Sequence, residues 1–132
     1  MSIELTIDGV THALPDALQW ADEYAWSPVV QQAEYSLTGA LLVDAAVRQA
    51  GRPITLGQPA GGAALITRSV LDALYAAAAA PGLEMTLTLR SADRTVQWRH
   101  QDGDVIAATP LEPLDDVQPD DLYTVTLKFM EV

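Results

Sequence analysis

One segment of the chain, from Thr67 to Ala80, has the periodicity of an α-helix, and it restricts the folds open to the rest. Its apolar residues occur at helical spacings and are predicted to share one face: Val70, Leu71, Leu74, Tyr75 and Ala78. The alanines that follow favour a helix because alanine has no side-chain rotamers to lose. Thr67 is suited to cap the first turn with its hydroxyl, and Pro81-Gly82 is a stop signal. The sequence therefore predicts one helix over about 67–80.

Almost all other segments have the pattern of strands, turns or loops. Apolar and polar residues alternate strictly over 3–7, 83–89 and 123–129, which is typical of strands buried on one face. Asp8-Gly9 predicts a hairpin turn, and Ser91-Ala92-Asp93 predicts another before a strand over 94–100. The expected fold is mainly β (α+β): a β-sandwich or barrel with one flanking helix at about 67–80.

The middle of the chain has a weaker pattern. Val29 to Val43 is predicted as one long strand with a bulge at Gly39, and Asp44 to Ala50 as a short helix. Shorter strands are expected at 52–57, 65–66 and 105–111, and an acidic loop at 112–121. No repeat or linker interrupts the 132 residues, so a single domain over 1–132 is expected.

The formal charge is −11, from 18 acidic and 7 basic residues. Such a field repels phosphate backbones and argues against specific binding of nucleic acids. No apolar run approaches the ~18 residues of a transmembrane helix, and the alternating N-terminus lacks the basic start of a signal peptide. The chain has no cysteine, so it has no disulfide and no thiolate metal site.

Candidate chemical sites are weak. The glycine-rich loop over 57–64 lacks the Gly-Lys-Ser/Thr ending of a phosphate-binding loop, and the paired acids lack EF-hand spacing. His12 and His100 are the only imidazoles, and no serine lies in a Gly-x-Ser-x-Gly motif. A His100, Asp102 and serine triad has no supporting spacing. We therefore expect no enzyme activity, no cofactor and no bound metal.

Three aromatic residues, Trp20, Tyr24 and Trp26, lie close together around Asp22 and Glu23. Their even-numbered positions would share one face of an extended segment. Aromatic residues are enriched at protein interfaces. The cluster is therefore either core packing or a contact with another subunit, and both interpretations stay open at this stage.

Several stretches together resemble a family of small tail proteins of long-tailed bacteriophages and prophages. They are Trp20-Ala-Asp-Glu-Tyr-Ala-Trp-Ser-Pro28, Glu34-Tyr-Ser-Leu-Thr-Gly-Ala-Leu-Leu-Val43, Gly51-Arg-Pro-Ile-Thr-Leu56, Ile66-Thr-Arg68 and Tyr123-Thr-Val-Thr-Leu-Lys-Phe-Met-Glu-Val132. The resemblance covers most of the chain and implies a tail-tube-like fold. It implies a structural component of the tail tip or baseplate, which is a distal tail protein, a tube-like subunit or another baseplate part.

The resemblance also implies how the protein would assemble. It predicts a homo-oligomeric ring, a hexamer, in the virion tail, made and assembled in the bacterial host cytoplasm. Its neighbours would be the tube, tape measure and baseplate hub proteins, with no membrane contact. DNA would pass through the ring without specific binding. Acidic residues expected to face the channel are Asp102, Asp104, Asp115, Asp116, Asp120 and Asp121.

Two alternatives stay open. The acidic loops could simply be solvated and point outward. The protein could instead be a small cytoplasmic binding module with a pocket between helix and sheet.

Overall fold

The computed structural model describes residues 3–112 and 115–132, and within those ranges the chain forms eleven strands and one α-helix. Pro113 and Leu114, which belong to the predicted acidic loop, lie outside the described residues. The strands are β1 (Ile3–Ile7), β2 (Val10–Leu14), β3 (Gln19–Trp20), β4 (Val29–Tyr35), β5 (Leu41–Val47), β6 (Pro53–Gly57), β7 (Leu65–Thr67), β8 (Met85–Leu89), β9 (Ala92–Trp98), β10 (Ile106–Pro110) and β11 (Leu122–Glu131). The helix α1 is Arg68–Ala78. The prediction of a mainly β chain with one helix is confirmed.

Nine strands form one antiparallel sheet whose main order is β2-β1-β8-β9-β11-β6-β3. The long strand β11 is its centre. On one side β11 pairs with β9 and then β10, and on the other with β6 and then β7. The edge strands β2 and β3 do not pair with each other, so the sheet is open. The described part of the chain therefore contains no closed barrel, which was one of the two predicted architectures.

Two tight turns set the register of the outer strands. Asp8 and Gly9 both have positive φ, at 50° and 82°, and bring Ile7 opposite Val10 as predicted. Two residues with positive φ give a turn whose twist matches that of the flanking strands. The β8–β9 turn lies at Arg90 and Ser91, with φ of 54° and 62°. The predicted turn at 91–93 was therefore placed one residue too late.

The core lies on one face of the sheet, under the helix. Residues without exposed surface come from alternate positions of the strands and from the helix: Leu5, Ile54, Leu56, Leu74, Leu87, Val96, Leu127 and Phe129. At its centre, Trp98 stacks on Phe129 with 4.7 Å between ring centroids. The alternation predicted over 83–89 and 123–129 is confirmed in β8 and β11.

The helix buries a narrower stripe than its sequence predicts. Leu71, Leu74 and Ala77 are buried, whereas Tyr75 is 72% exposed. Each helical residue advances by about 100°, so Tyr75 lies beside the buried stripe rather than in it. The assignment of Tyr75 to the buried face was wrong.

The N-terminus of α1 is capped by backbone groups of another segment. Thr67 is at the N-cap position, but its hydroxyl makes no capping hydrogen bond, contrary to the prediction. Instead, the amide of Arg68 donates to the carbonyl of Asp121, and the amide of Ser69 to that of Pro119, both at 2.9 Å. These bonds satisfy helical amides that have no partner within the helix. The acidic loop thus has a structural role at this helix end.

The middle of the chain differs most from its prediction. The region over 29–43, expected to be one strand, contains β4, a turn and the start of β5. The region over 44–50, expected to be a short helix, continues β5 to Val47. β4 and β5 form a separate two-stranded sheet in which every residue is exposed. The chain therefore carries a β-hairpin that does not pack on its body.

Candidate protein interface

The hairpin of β4 and β5, called the arm below, is the main surface without a partner in the structure. Its strands pair along their whole length, from Val29 opposite Val47 to Tyr35 opposite Leu41. With seven residues in each strand, the arm extends about 23 Å at the usual rise of ~3.3 Å per residue. Among the described residues, eight of the fifteen exposed large hydrophobic side chains lie on the arm and its turn. This clustering distinguishes the arm from the rest of the surface.

The two faces of the arm differ in polarity. Directly paired residues in antiparallel strands project to the same face, and successive residues alternate between faces. One face, called the apolar face, carries Gln31 and seven apolar residues: Val29, Ala33, Tyr35, Leu41, Val43, Ala45 and Val47. The other, called the mixed face, carries Val30, Gln32, Glu34, Leu42, Asp44 and Ala46. The arm is therefore amphipathic, although neither face is covered by the chain itself.

An uncovered arm of this kind has little stability of its own. An isolated two-stranded hairpin is at best marginally stable in water, because one pair of strands buries little apolar surface. Contiguous exposed apolar patches mark interaction sites in soluble proteins. Covering the apolar face would stabilise the covered state by about 25 cal/mol for each Å² of apolar surface removed from water. The arm thus exposes apolar side chains that the rest of its own chain does not cover.

The tip of the arm is a well-defined turn. The amide of Ser36 donates to the carbonyl of Ala40 at 2.8 Å, and the amide of Gly39 to the carbonyl of Ser36 at 3.0 Å. The Ser36 hydroxyl also accepts from the Ala40 amide at 3.1 Å. Gly39 has a φ of 87°, so it forms the turn and not the predicted bulge. Leu37, at the tip, is fully exposed.

A stack of alternating arginine and tryptophan side chains connects the arm to the body. The guanidinium of Arg94 lies 5.1 Å from the Trp20 ring, and that of Arg52 lies 4.6 Å from the same ring. Arg52 and Arg48 each lie 5.9 Å from the ring of Trp26. Cation–π contacts of this geometry contribute about 0.5–1 kcal/mol each at exposed sites. The stack runs from the sheet, through Arg52, to the residue that follows the arm.

Backbone hydrogen bonds close the root of the arm. The amide of Arg48 donates to the carbonyl of Pro28 at 2.6 Å, just beyond the last strand pair. Gly51 donates to Glu131, and Glu131 to Arg52, both at 2.8 Å. The root is thus fixed beside the C-terminal end of β11. These contacts hold the two chain segments that enter and leave the arm.

The predicted aromatic interface residues have three different environments. Trp20 is 7% exposed and belongs to the core, Trp26 is half-buried at the arm root, and Tyr24 is 92% exposed. The segment 21–25 is a turn rather than an extended strand, so the three rings do not share one face. Tyr24 and Trp26 are available for contact with another subunit, and their role in one stays a prediction.

The turn over 21–25 is held by polar contacts to the centre of the sheet. The Asp22 carboxylate accepts hydrogen bonds from the Thr55 amide at 2.9 Å and from its hydroxyl at 2.8 Å. The buried Arg99 donates to that hydroxyl at 2.7 Å and to the carbonyl of Phe129 at 3.0 Å. Its Nε lies 2.6 Å from a carboxylate oxygen of Asp102. The charge of Arg99, which is costly to bury alone, is therefore compensated.

The acidic residues predicted to face a channel lie in two separate loops. Asp102 and Asp104 precede β10, whereas Asp115, Asp116, Asp120 and Asp121 follow it. β10 has five residues, so the loops are separated by about 16 Å of strand. The structure places the two groups at opposite ends of β10.

Some of these carboxylates already have partners within the chain. Asp102 pairs with Arg99, and Asp121 accepts a hydrogen bond from the Gln118 amide at 2.9 Å. Asp116 accepts one from the Gln118 side chain at 3.2 Å. Asp104 is exposed. Asp102 and Asp121 therefore contribute to the local structure in addition to charge.

A groove lies between the last turns of α1 and the segment over 100–106. Its volume is about 480 Å³, and His100 and Asp104 are among its lining residues. The Asp102 carboxylate pairs with Arg99. This contact gives no support to a catalytic triad of His100, Asp102 and a serine. In the ranges 3–112 and 115–132, no three His, Asp or Glu residues are placed to hold a metal ion.

Arg68, the first residue of α1, has a displaced pKa. The Tyr123 hydroxyl, which accepts a hydrogen bond from Arg68 at 2.6 Å, raises the pKa of Arg68 above its ordinary value. Arg68 is thus protonated at every physiological pH. The contact ties the start of α1 to β11 and suggests no acid–base chemistry.

The surface that sequence reasoning missed is the apolar face of the arm. A signal for it exists in the composition, because Glu34 is the only charged residue between Glu23 and Asp44. In a chain with 19% charged residues, such a stretch is expected to be buried. Here both strands of the arm are exposed instead.

None of the helices among the described residues is long and apolar enough to cross a membrane. Comparison of the chain with protein-family models, with curated proteins and with solved structures finds no match.

Proposed function

We propose that this protein is a non-enzymatic structural subunit of a bacteriophage tail tip or baseplate, in which copies join through the arm into a ring around the DNA channel. The apolar face of the arm, exposed along its whole length, is the observation that carries the proposal. The resemblance to small phage tail proteins adds three parts to this proposal: a tail-tube-like fold, a hexameric ring and a position in the virion tail. It also adds the neighbouring proteins, which are the tube, tape measure and hub proteins.

Electrostatics favour a copy of the same chain as the partner of the arm. A chain with a formal charge of −11 repels its own copies over most of its surface. The arm and its turn, over 29–47, carry only Glu34 and Asp44, both on the mixed face, so the apolar face can approach another copy with little repulsion. A basic partner would instead be attracted to the acidic loops, because these carry negative charge.

Symmetry connects the arm to a ring. Each chain carries one arm, and an arm that contacts a different surface of its neighbour, without that neighbour's arm returning the contact, makes a heterologous contact. Repetition of such a contact gives a closed ring when the rotation closes. In this arrangement DNA would pass through without specific contacts, because acidic loops repel phosphates.

A matched pair of substitutions tests the proposal. Val43 on the apolar face and Leu42 on the mixed face are 49% and 50% exposed, and they are neighbours in β5. Val43→Asp places a carboxylate in the proposed interface, at a cost of several kcal/mol if it is buried without a partner. We expect it to weaken self-association at least ~100-fold, equivalent to about 2.7 kcal/mol. Leu42→Asp should have a much smaller effect.

The association is measured by size-exclusion chromatography with light scattering and by native mass spectrometry over a range of concentrations. Both variants should keep the thermal unfolding of the body, because the arm is outside the core. Equal assembly of the two variants would show that the apolar face is not the interface. A wild-type chain that stays monomeric up to millimolar concentration would contradict the proposed function.

The groove beside α1 favours a second candidate, a binding module for a small ligand. At about 480 Å³ it has the size of ligand pockets, which measure roughly 300–1,000 Å³. It lies between α1 and the segment that leads into β10, whereas the alternative expected a pocket between helix and sheet. A monomeric chain that binds small molecules with chemical-shift changes confined to this groove would support the module instead.

A further inference from the structure

We propose that the groove between α1 and the 100–106 segment binds a small organic ligand that carries a primary ammonium group on a short aliphatic chain. The inference goes beyond assembly through the arm and does not depend on it. It also gives a chemical class of ligand to the binding module, which is the second candidate function. All the residues that line the groove belong to one chain.

Three polar side chains in the lining of the groove have no polar partner in the fold. They are the carboxylate of Asp104, the imidazole of His100 and the phenol of Tyr75. Throughout 3–112 and 115–132, none of the three side chains makes a hydrogen bond or an ion pair with another described residue. All three are exposed, so a molecule in the groove can reach them. Their hydrogen-bonding capacity is therefore available to a ligand.

The acceptors of these side chains match the donors of a primary ammonium group. An ammonium group has three N–H donors and no acceptor. A carboxylate accepts only, a neutral imidazole accepts at one ring nitrogen, and a phenol oxygen also accepts. Each of Asp104, His100 and Tyr75 can therefore accept one N–H bond of the ligand. The bond to Asp104 is the strongest of the three, because donor and acceptor carry opposite charges.

The charge around the groove favours a cation over an anion. Asp102 is paired with Arg99, and the ammonium of Lys128 donates to the carbonyl of Asp102 at 2.9 Å. Neither of these cations lines the groove, and neither forms an ion pair with Asp104. The formal charge of −11 adds attraction for cations and repulsion of anions at longer range. The charge of Asp104 is thus left for the ligand.

Apolar residues of the same lining suit the aliphatic part of the ligand. Val105 is buried, and Ala78 and Ile106 are half-buried. The end of α1 is rich in alanine, whose small side chains leave a groove of about 480 Å³. A chain of a few carbon atoms loses contact with water when it lies against these residues, and this is favourable. The ligand is therefore expected to be an amine with a short hydrocarbon chain.

Titration with n-butylammonium, followed by NMR of the isotope-labelled chain, tests the ligand class. The amide signals of Ala78, Gly103 and Ile106 should shift until the groove is saturated. Three probes serve as controls: n-butanol has no charge, butyrate has the opposite charge, and tetramethylammonium has charge but no N–H donor. We expect n-butylammonium to bind at least ~ten-fold more tightly than each control, because hydrogen bonds between charged groups are the stronger ones.

A matched pair of variants tests the role of Asp104. Asp104→Asn removes the charge with little change of shape and should weaken the binding of n-butylammonium at least ~ten-fold. Asp44→Asn changes the net charge by the same amount, but Asp44 lies on the mixed face of the arm and does not line the groove. It should therefore change the affinity less than about two-fold, since only the long-range attraction is reduced. Both positions are exposed, so urea denaturation should show equal stability.

The outcomes separate this inference from the proposed function. Saturable shifts at the groove that are lost in Asp104→Asn and kept in Asp44→Asn support the amine site. Three results would overturn it: no saturable shift with n-butylammonium, equal affinity for n-butanol, or an equal effect of the two substitutions. Light scattering of the same samples measures self-association independently. Loss of the amine site leaves assembly through the arm intact, whereas a chain that binds the amine but stays monomeric supports the binding module instead.

Discussion

Leu74 links the helix to the sheet, since it is the only helical residue without any exposed surface. Leu74→Ala should lower the free energy of unfolding by about 2–5 kcal/mol, because it removes apolar contacts and leaves a cavity. Tyr75→Ala is the matched control on the next residue, which is 72% exposed, and should change it by at most ~0.5 kcal/mol. Urea denaturation followed by circular dichroism measures both. Equal effects would show that α1 is not docked as described.

The two tryptophans of the stack predict different mutant behaviour. Trp20→Ala, at a position 7% exposed, should lower the free energy of unfolding by about 3–5 kcal/mol. Trp26→Ala should lower the free energy of unfolding by less than Trp20→Ala does. It should weaken self-association, because it removes the contacts of the Trp26 ring with Arg48 and Arg52 at the arm root. Urea denaturation and light scattering separate the two quantities. A Trp26→Ala chain that loses stability yet assembles normally would place Trp26 with the core and not with the interface.

The environment of Trp20 and Trp26 shows what spacing alone does not reveal at the scale of residues. An alternating pattern over 20–26 suits an extended strand, but the Asp22 carboxylate binds Thr55 and ends the extension in a turn. The partner lies 33 residues away in the sequence. No local pattern contains that information. Likewise, the exposure of Tyr75 depends on which way α1 is rotated against the sheet.

At the scale of elements, the strands that follow the predicted alternation are those with one face on the core. β8 and β11 have buried residues at every second position, so the pattern in their sequences reports their burial directly. The Asp8-Gly9 turn was also predictable, because few residue pairs accept positive φ at both positions. These elements required only local chemistry and a single hydrophobic face.

The arm could not be predicted in the same way. Its turn over 36–40 lacks the two-residue signature of tight hairpins, so the sequence suggested one continuous strand. The stretch over 44–50, with three alanines and an arginine, has a composition favourable to helix. Pairing of β5 with β4 overrides that propensity, as cross-strand contacts often do. Only the low charge of the region indicated an unusual environment.

The acidic loop illustrates how an element can have a role that its composition conceals. The carbonyls of Pro119 and Asp121 cap α1, so the loop is fixed at its end next to β11. Its remaining carboxylates are exposed and can act on their surroundings through charge. Substitutions meant to test electrostatics alone must leave Asp121 unchanged, because its carboxylate accepts a hydrogen bond from the Gln118 amide within the loop.

At the scale of the whole molecule, charge and apolar surface are segregated. The arm is nearly uncharged, whereas seven carboxylates lie between His100 and Lys128. Assembly through the arm would bring copies together by their least charged surfaces and leave the acidic loops for other roles. The two loops flank β10 at its opposite ends, so a channel lined by both would have to run along that strand.

This arrangement gives a prediction about DNA passage. If the loop after β10 faces the channel, Asp115→Lys, Asp116→Lys and Asp120→Lys combined should leave particles assembled but slow DNA ejection, because lysines attract the phosphates that pass. The effect should grow at low salt, since the Debye length rises from about 8 Å at 0.15 M to ~30 Å at 0.01 M.

The same three residues changed to asparagine remove charge without adding attraction and should slow ejection less. Asp104→Lys tests the other loop separately. Ejection is followed by the fluorescence of a dye that binds released DNA. Assembled lysine particles that eject DNA at the wild-type rate at every salt concentration would mean that these carboxylates point outward and only solvate the protein.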